Sequence, residues 1–142
     1  MSEKVIVRQN KHYQVEFWAS DPREPESYEV EQIGGLHEVT PYGMMLVSIA
    51  TCTAQVVLAF AQHHGINLED VTLELTYQRD YDQDCEDCEQ IEEFKERITE
   101  QISFSGDLSA KEEEKLFRIA HQCPIQKIFE EGIEIQSSLL KQ

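Results

Sequence analysis

Four cysteines are the side chains in this sequence with the widest chemistry open to them. Cys123 stands directly before Pro124. With Pro124 as a first helical residue, Cys123 becomes the N-cap. A thiolate there meets unpaired backbone N–H groups and the positive end of the helix dipole, which lowers a thiol pKa below its free value of about 8.5. The position suits a small buried hydrophobe equally well, and the local pattern leaves both readings open. Cys52 lies deep in an apolar helical segment, beyond the reach of a dipole that fades after the first turn. Read alone it is core packing, and its activation needs a neighbouring cation. Cys85 and Cys88 form Cys-Glu-Asp-Cys, a spacing suited to a metal knuckle or a redox pair. A structural zinc site needs a second such pair, which Cys52 and Cys123 do not supply. The surrounding carboxylates raise both thiol pKa values, which opposes redox catalysis and favours cation binding. No metal and no cofactor are expected, with Cys85 and Cys88 as the fallback ligands. His63 and His64 are adjacent, so on a helix they point about 100° apart and do not share one ion. No Gly-rich phosphate loop, Gly-x-Ser-x-Gly or His-Glu-x-x-His occurs.

Local sequence patterns define the elements that must hold these thiols. Val5 and Val7 flank Ile6, and Tyr13, Val15 and Phe17 alternate with Gln14, Glu16 and Trp18, which is strand periodicity. Asp21 to Pro25 forms a turn, and a third strand runs from Tyr28 to Ile33, ending at Gly34-Gly35. Thr40-Pro41 starts a helix that runs to about His64, with Gly65 as its left-handed cap. It is apolar nearly all round, so it is enclosed by other elements. Val71, Leu73, Leu75 and Tyr77 mark a further strand. The segment from Ile91 to Phe104 fits a helix or a strand. Ser109 caps a helix to about Gln122, with Glu112, Glu113 and Glu114 in its first turns. A short helix runs from Pro124 to Gly132, and Ile133 and Ile135 open a final strand. The order is that of a single α+β domain over residues 1–142, without linkers or repeats. Short edge and terminal strands suit a dimer.

The 142 residues carry a formal charge of −16, with 40% hydrophobic residues. That composition supports one core and excludes a chain disordered throughout. It excludes a nucleic-acid partner and charge-driven binding to anionic lipid, both of which need a basic face. Ten carboxylates between Asp80 and Glu100 face only Lys95 and Arg97, so half the net charge sits in this stretch, read as a solvated face. Residues 44–61 form the longest apolar run, interrupted by Ser48, Thr51, Thr53 and Gln55 and flanked by no basic cluster. A buried helix of a soluble protein is expected, not a membrane span. The N-terminus lacks the features of a secretory signal, and the cytoplasm, where thiols stay reduced, is the expected compartment.

Two segments together carry a resemblance. Residues 40–54, TPYGMMLVSIATCTA, resemble the central-helix signature of the OsmC/Ohr family: a Pro, a run of apolar and small residues, then a cysteine followed by a small residue. Residues 106–125, ending in His-Gln-Cys-Pro-Ile, resemble its second motif, a helix that ends in Cys-Pro and an aliphatic residue. The resemblance covers about residues 28–138. It implies an α+β OsmC-like fold, with a central buried helix packed on antiparallel sheets in an intertwined homodimer. It also implies that Phe94 to Ser105 is a strand.

Typical members of that family are thiol peroxidases that reduce organic hydroperoxides. By the family's pattern Cys52 matches the peroxidatic cysteine and Cys123 the resolving one, cycling through a sulfenic acid and a disulfide. The thiol reductant is not named by the sequence. The chain departs from the pattern at one place. Active members carry a Glu shortly after the Pro of the first motif, paired with an Arg that holds the thiolate. Here Tyr42, Gly43 and Met44 follow Pro41. Arg8 and Arg23 are the candidate cations; without one, Cys52 stays protonated and is a poor nucleophile. The other reading is therefore a peroxidase-inactive OsmC-like protein that binds an apolar ligand or serves in stress.

Overall fold

The computed structural model describes residues 2–21, 29–34, 39–81 and 94–141. Strand β1 (Ser2–Asn10) alternates strictly, with Val5 and Val7 fully buried. It pairs antiparallel with β2 (Val15–Ser20), and β2 with β3 (Val30–Ile33). On its other side β1 pairs with the long strand β4 (Asn67–Tyr81), which pairs with β5 (Phe94–Asp107). The sheet order is β3-β2-β1-β4-β5. The segment that fits either state is thus a strand from Phe94 onward. Residues 85 and 88, and Arg23, lie outside the described residues.

Helix α1 (Pro41–His63) crosses one face of this sheet against β1 and β4. Thr40 caps it, its hydroxyl accepting from the Gly43 N–H at 3.3 Å and donating to the buried Glu3 carboxylate at 2.5 Å. At the other end the Ile66 N–H donates to the Ala61 carbonyl across Gly65, whose φ of +66° is the left-handed turn that glycine adopts freely. Helix α2 (Ala110–Ala120) starts from a capping box between Ser109 and Glu112, and buries Leu116 and Ala120. Helix α3 (Pro124–Glu131) follows directly, and both pack on α1. Val5, Val7, Leu46, Ile49, Val57, Leu73 and Leu116 belong to one continuous core.

Three expectations need correction. Tyr13 is not in a strand: the Asn10 side chain accepts from the N–H groups of His12 and Gln14 and closes a turn, with Tyr13 at φ 61°. This local Asx geometry outcompetes the strand pattern. Helix α1 is not enclosed on all sides: Met44, Ser48, Gln55 and Ala59 form an exposed stripe. Ile133 and Ile135 open no strand within this chain. Residues 132–141 have no regular structure and both isoleucines are exposed. A period-two pattern becomes a strand only with a ladder partner, and none of the five strands pairs with this segment.

Candidate functional site

The Cys-Pro junction folds as its sequence directs. Pro124 opens α3 and Cys123 is its N-cap, with Sγ accepting from the Gln126 N–H at 3.4 Å. The same sulfur lies 3.9 Å from the Ile49 carbonyl on α1, and Cys123 is 1% exposed. Ile49 lies one helical turn before Cys52, so docking of α3 on α1 brings together two cysteines 71 positions apart in the chain. The two thiols are close enough for Cys123 to influence the titration of Cys52. Cys52 is partly exposed, and both thiols are free. Burial pushes the Cys52 thiol above its ordinary pKa, and the neighbouring Cys123 adds to this. The nearby Ile125 backbone works in the opposite direction.

Beside the thiols lies a cleft of about 500 Å³ between the start of α1, β5 and α3. Tyr42, Met45, Ile49 and Phe129 give it an apolar body. At one end stands a cluster that the sequence reading missed. Arg79 donates from Nη2 to the Tyr42 hydroxyl at 2.5 Å and from Nε to the Tyr77 hydroxyl at 3.2 Å. Its Nε is 3.5 Å from Glu96, which accepts from Tyr77 at 2.8 Å. The Tyr42 and Tyr77 rings stack at 4.8 Å between centroids, and the guanidinium covers the Tyr42 ring. The residue after Pro41, where a carboxylate was sought, therefore offers an arginine a phenol. Arg79 was legible in the strand phase: Val71, Leu73, Leu75 and Tyr77 face α1, so residue 79 does too.

The candidate cation Arg8 is elsewhere. It sits one residue out of phase with Val7, on the sheet face away from α1, and pairs with Asp70 at 3.0 Å. Glu100, by contrast, faces the cleft side from β5, and burial raises its carboxyl pKa against the opposing pull of His121. A second carboxylate missed by sequence reading is Glu3, which β1 delivers to the N-terminus of α1. Gly43 makes room for it: a Cβ there would stand 3.0 Å from Glu3 Oε1. Among the described residues no group of three or more His, Cys, Asp or Glu side chains converges to hold a metal.

Among the described residues a five-stranded antiparallel sheet and three helices, with two free thiols where α3 meets α1, define an α+β thiol-bearing domain. The sequence model of OsmC-like proteins matches residues 34–138, and the chain belongs to that family. A solved structure with the same architecture is an OsmC-like hydroperoxide resistance protein from Jannaschia sp. CCS1. It superposes with a TM-score of 0.61 at 11% identity, covering 99% of this chain and 94% of that one. At that identity the likeness is one of fold. No curated protein matches the sequence.

Proposed function

We propose that this chain is a thiol-dependent peroxidase that reduces small organic hydroperoxides with Cys52 and Cys123. The docking of the Cys123 sulfur on the Ile49 carbonyl, one helical turn from Cys52 and beside an apolar cleft, carries the reading. Cys52, the more exposed, loses its proton and attacks the distal peroxide oxygen. The O–O bond breaks, the alkoxide leaves as the alcohol after taking a proton, and Cys52 becomes a sulfenic acid. The Cys123 sulfur then attacks the Cys52 sulfur. An S–S bond forms and the hydroxyl leaves as water. An external dithiol reduces the disulfide, a cycle suited to the cytoplasm. The test is hydroperoxide consumption with added dithiothreitol. The wild type should consume it, Cys52→Ser should not, and mass spectrometry after oxidation should find a Cys52–Cys123 disulfide. Wild type that consumes no hydroperoxide with any reductant overturns the reading.

The raised Cys52 pKa and the phenol of Tyr42 favour a second reading, a family member that binds an apolar ligand without turning it over. A Cys52 titration midpoint well above about 8.5 supports that reading, and one below about 7 supports the enzyme. We further propose a homodimer, which the exposed α1 stripe and the unpaired segment 132–141 support.

A further inference from the structure

The cleft beside the thiols carries its charge unevenly. Its charged residues are Glu96, Glu100, Glu130 and Arg97. Arg97 pairs with Gln78 in the strand register, while Glu96 and Glu100 pair with Arg79 and Leu75. Alternation therefore turns the Arg97 side chain to the opposite sheet face. Arg79 is committed to Glu96, Tyr77 and Tyr42, and this ion pair balances Glu96. Glu100 and Glu130 remain. Among the described residues neither has a salt-bridge partner. Glu130 accepts only a neutral amide, from Gln126 at 3.1 Å.

We infer that this cleft selects its ligand by charge, taking hydroperoxides with neutral or positively charged bodies and rejecting those that carry an ionised carboxylate. As regards turnover, this rests on the peroxidase reading above; the preference in binding does not. A cleft of about 500 Å³ holds an aromatic or branched alkyl body against Tyr42, Met45, Ile49 and Phe129. With the peroxide end toward Ile49, which lies one helical turn before Cys52 and adjoins the Cys123 sulfur, the remainder of the ligand meets Glu100 and Glu130. Beside a half-buried carboxylate the effective dielectric is far below that of water, so like charges repel strongly there. The net charge of −16 extends the same sign outward and lowers the local concentration of anions.

The test uses one hydroperoxide made with a methyl ester, a carboxylate or an ammonium tail, with dithiothreitol as reductant. At low salt kcat/KM for the ester and the ammonium compound should exceed that for the carboxylate by about tenfold or more. The gap should narrow in about 1 M salt, where the Debye length is near 3 Å. Glu100→Gln with Glu130→Gln should bring carboxylate and ester to within about threefold. Glu130→Gln alone, on the exposed surface of α3, narrows the gap in part and keeps the test valid if the double variant does not fold. Equal efficiencies for ester and carboxylate in wild type, or a preference that survives both substitutions and high salt, overturn the inference. If no hydroperoxide is consumed, the peroxidase reading fails by itself. Calorimetric titration with the three corresponding alcohols then decides: a Kd order matching the tenfold preference supports the inference, and equal Kd values or no binding overturn it.

Discussion

At the scale of the residue, a neighbouring thiol does not by itself make Cys52 a reactive thiolate. Burial holds Cys52 above its ordinary pKa, and Cys123 reinforces this, so at neutral pH more of Cys52 is protonated than in an exposed cysteine. Its alkylation by iodoacetamide should therefore rise about tenfold per pH unit through neutrality and bend only above about 8.5. Cys123→Ser should move the bend downward, because the Cys123 thiol is one of the causes of the rise. A plateau already reached at neutral pH would contradict this account. Glu100 has the same sign of shift. Its folded pKa is raised by burial, so folding favours the protonated carboxyl and stability falls as pH rises through the ordinary carboxylate value. Glu100→Gln should raise Tm at pH 7 by about 1–2 °C, and the gain should vanish below about pH 4, where wild type is protonated as well. The thiol pair was readable because each cysteine lies in a local motif, a Pro-led helix and a Cys-Pro cap. Glu3 was not, because nothing local to residue 3 states that β1 will deliver it to Thr40.

At the scale of the element, the N-terminus of α1 shows how far local rules reach. Alanine is a better helix former than glycine by about 1 kcal/mol, so propensity alone favours Gly43→Ala. The structure reverses the sign. A Cβ at residue 43 would lie 2.8 Å from the Val39 Cβ and 3.0 Å from Glu3 Oε1, and both neighbours would have to give way. Chemical denaturation should show a loss of about 1–3 kcal/mol, and a gain would refute the close packing of β1 on this helix. The capping box of α2 obeys the local rule without opposition: Ser109→Ala should cost about 1 kcal/mol. Most element identities were legible for this reason. Caps, alternation and apolar runs at α1, α2, α3 and β4 all speak for the same state. The two misjudged segments have tertiary or side-chain causes: the Asn10 side chain bends the chain at Tyr13, and the tail beyond Gly132 has a strand pattern but no strand to pair with.

At the scale of the whole molecule, the surfaces left uncovered share one requirement. The stripe of Met44, Ser48, Gln55 and Ala59 runs along the most apolar helix, and the tail exposes Ile133, Ile135, Leu139 and Leu140. A segment of that composition is stabilised by a sheet edge or an apolar surface, and among the described residues it is packed on neither. In the proposed homodimer a second copy would supply both, through β3 or β5 at the ends of the sheet and a facing α1 stripe. Sedimentation equilibrium at micromolar concentration should therefore give twice the chain mass of 16.5 kDa. Met44→Glu, which places a charge on the stripe, and truncation after Gly132 should each shift the protein toward monomer, with the far-ultraviolet helix signal of α1, α2 and α3 retained. The two outcomes separate the surfaces: dissociation by the substitution alone assigns the contact to the helices, and dissociation by the truncation alone assigns it to the tail. Full-length protein that sediments as a monomer would remove the second copy from the account and leave the tail a solvent-exposed apolar segment, a liability for aggregation.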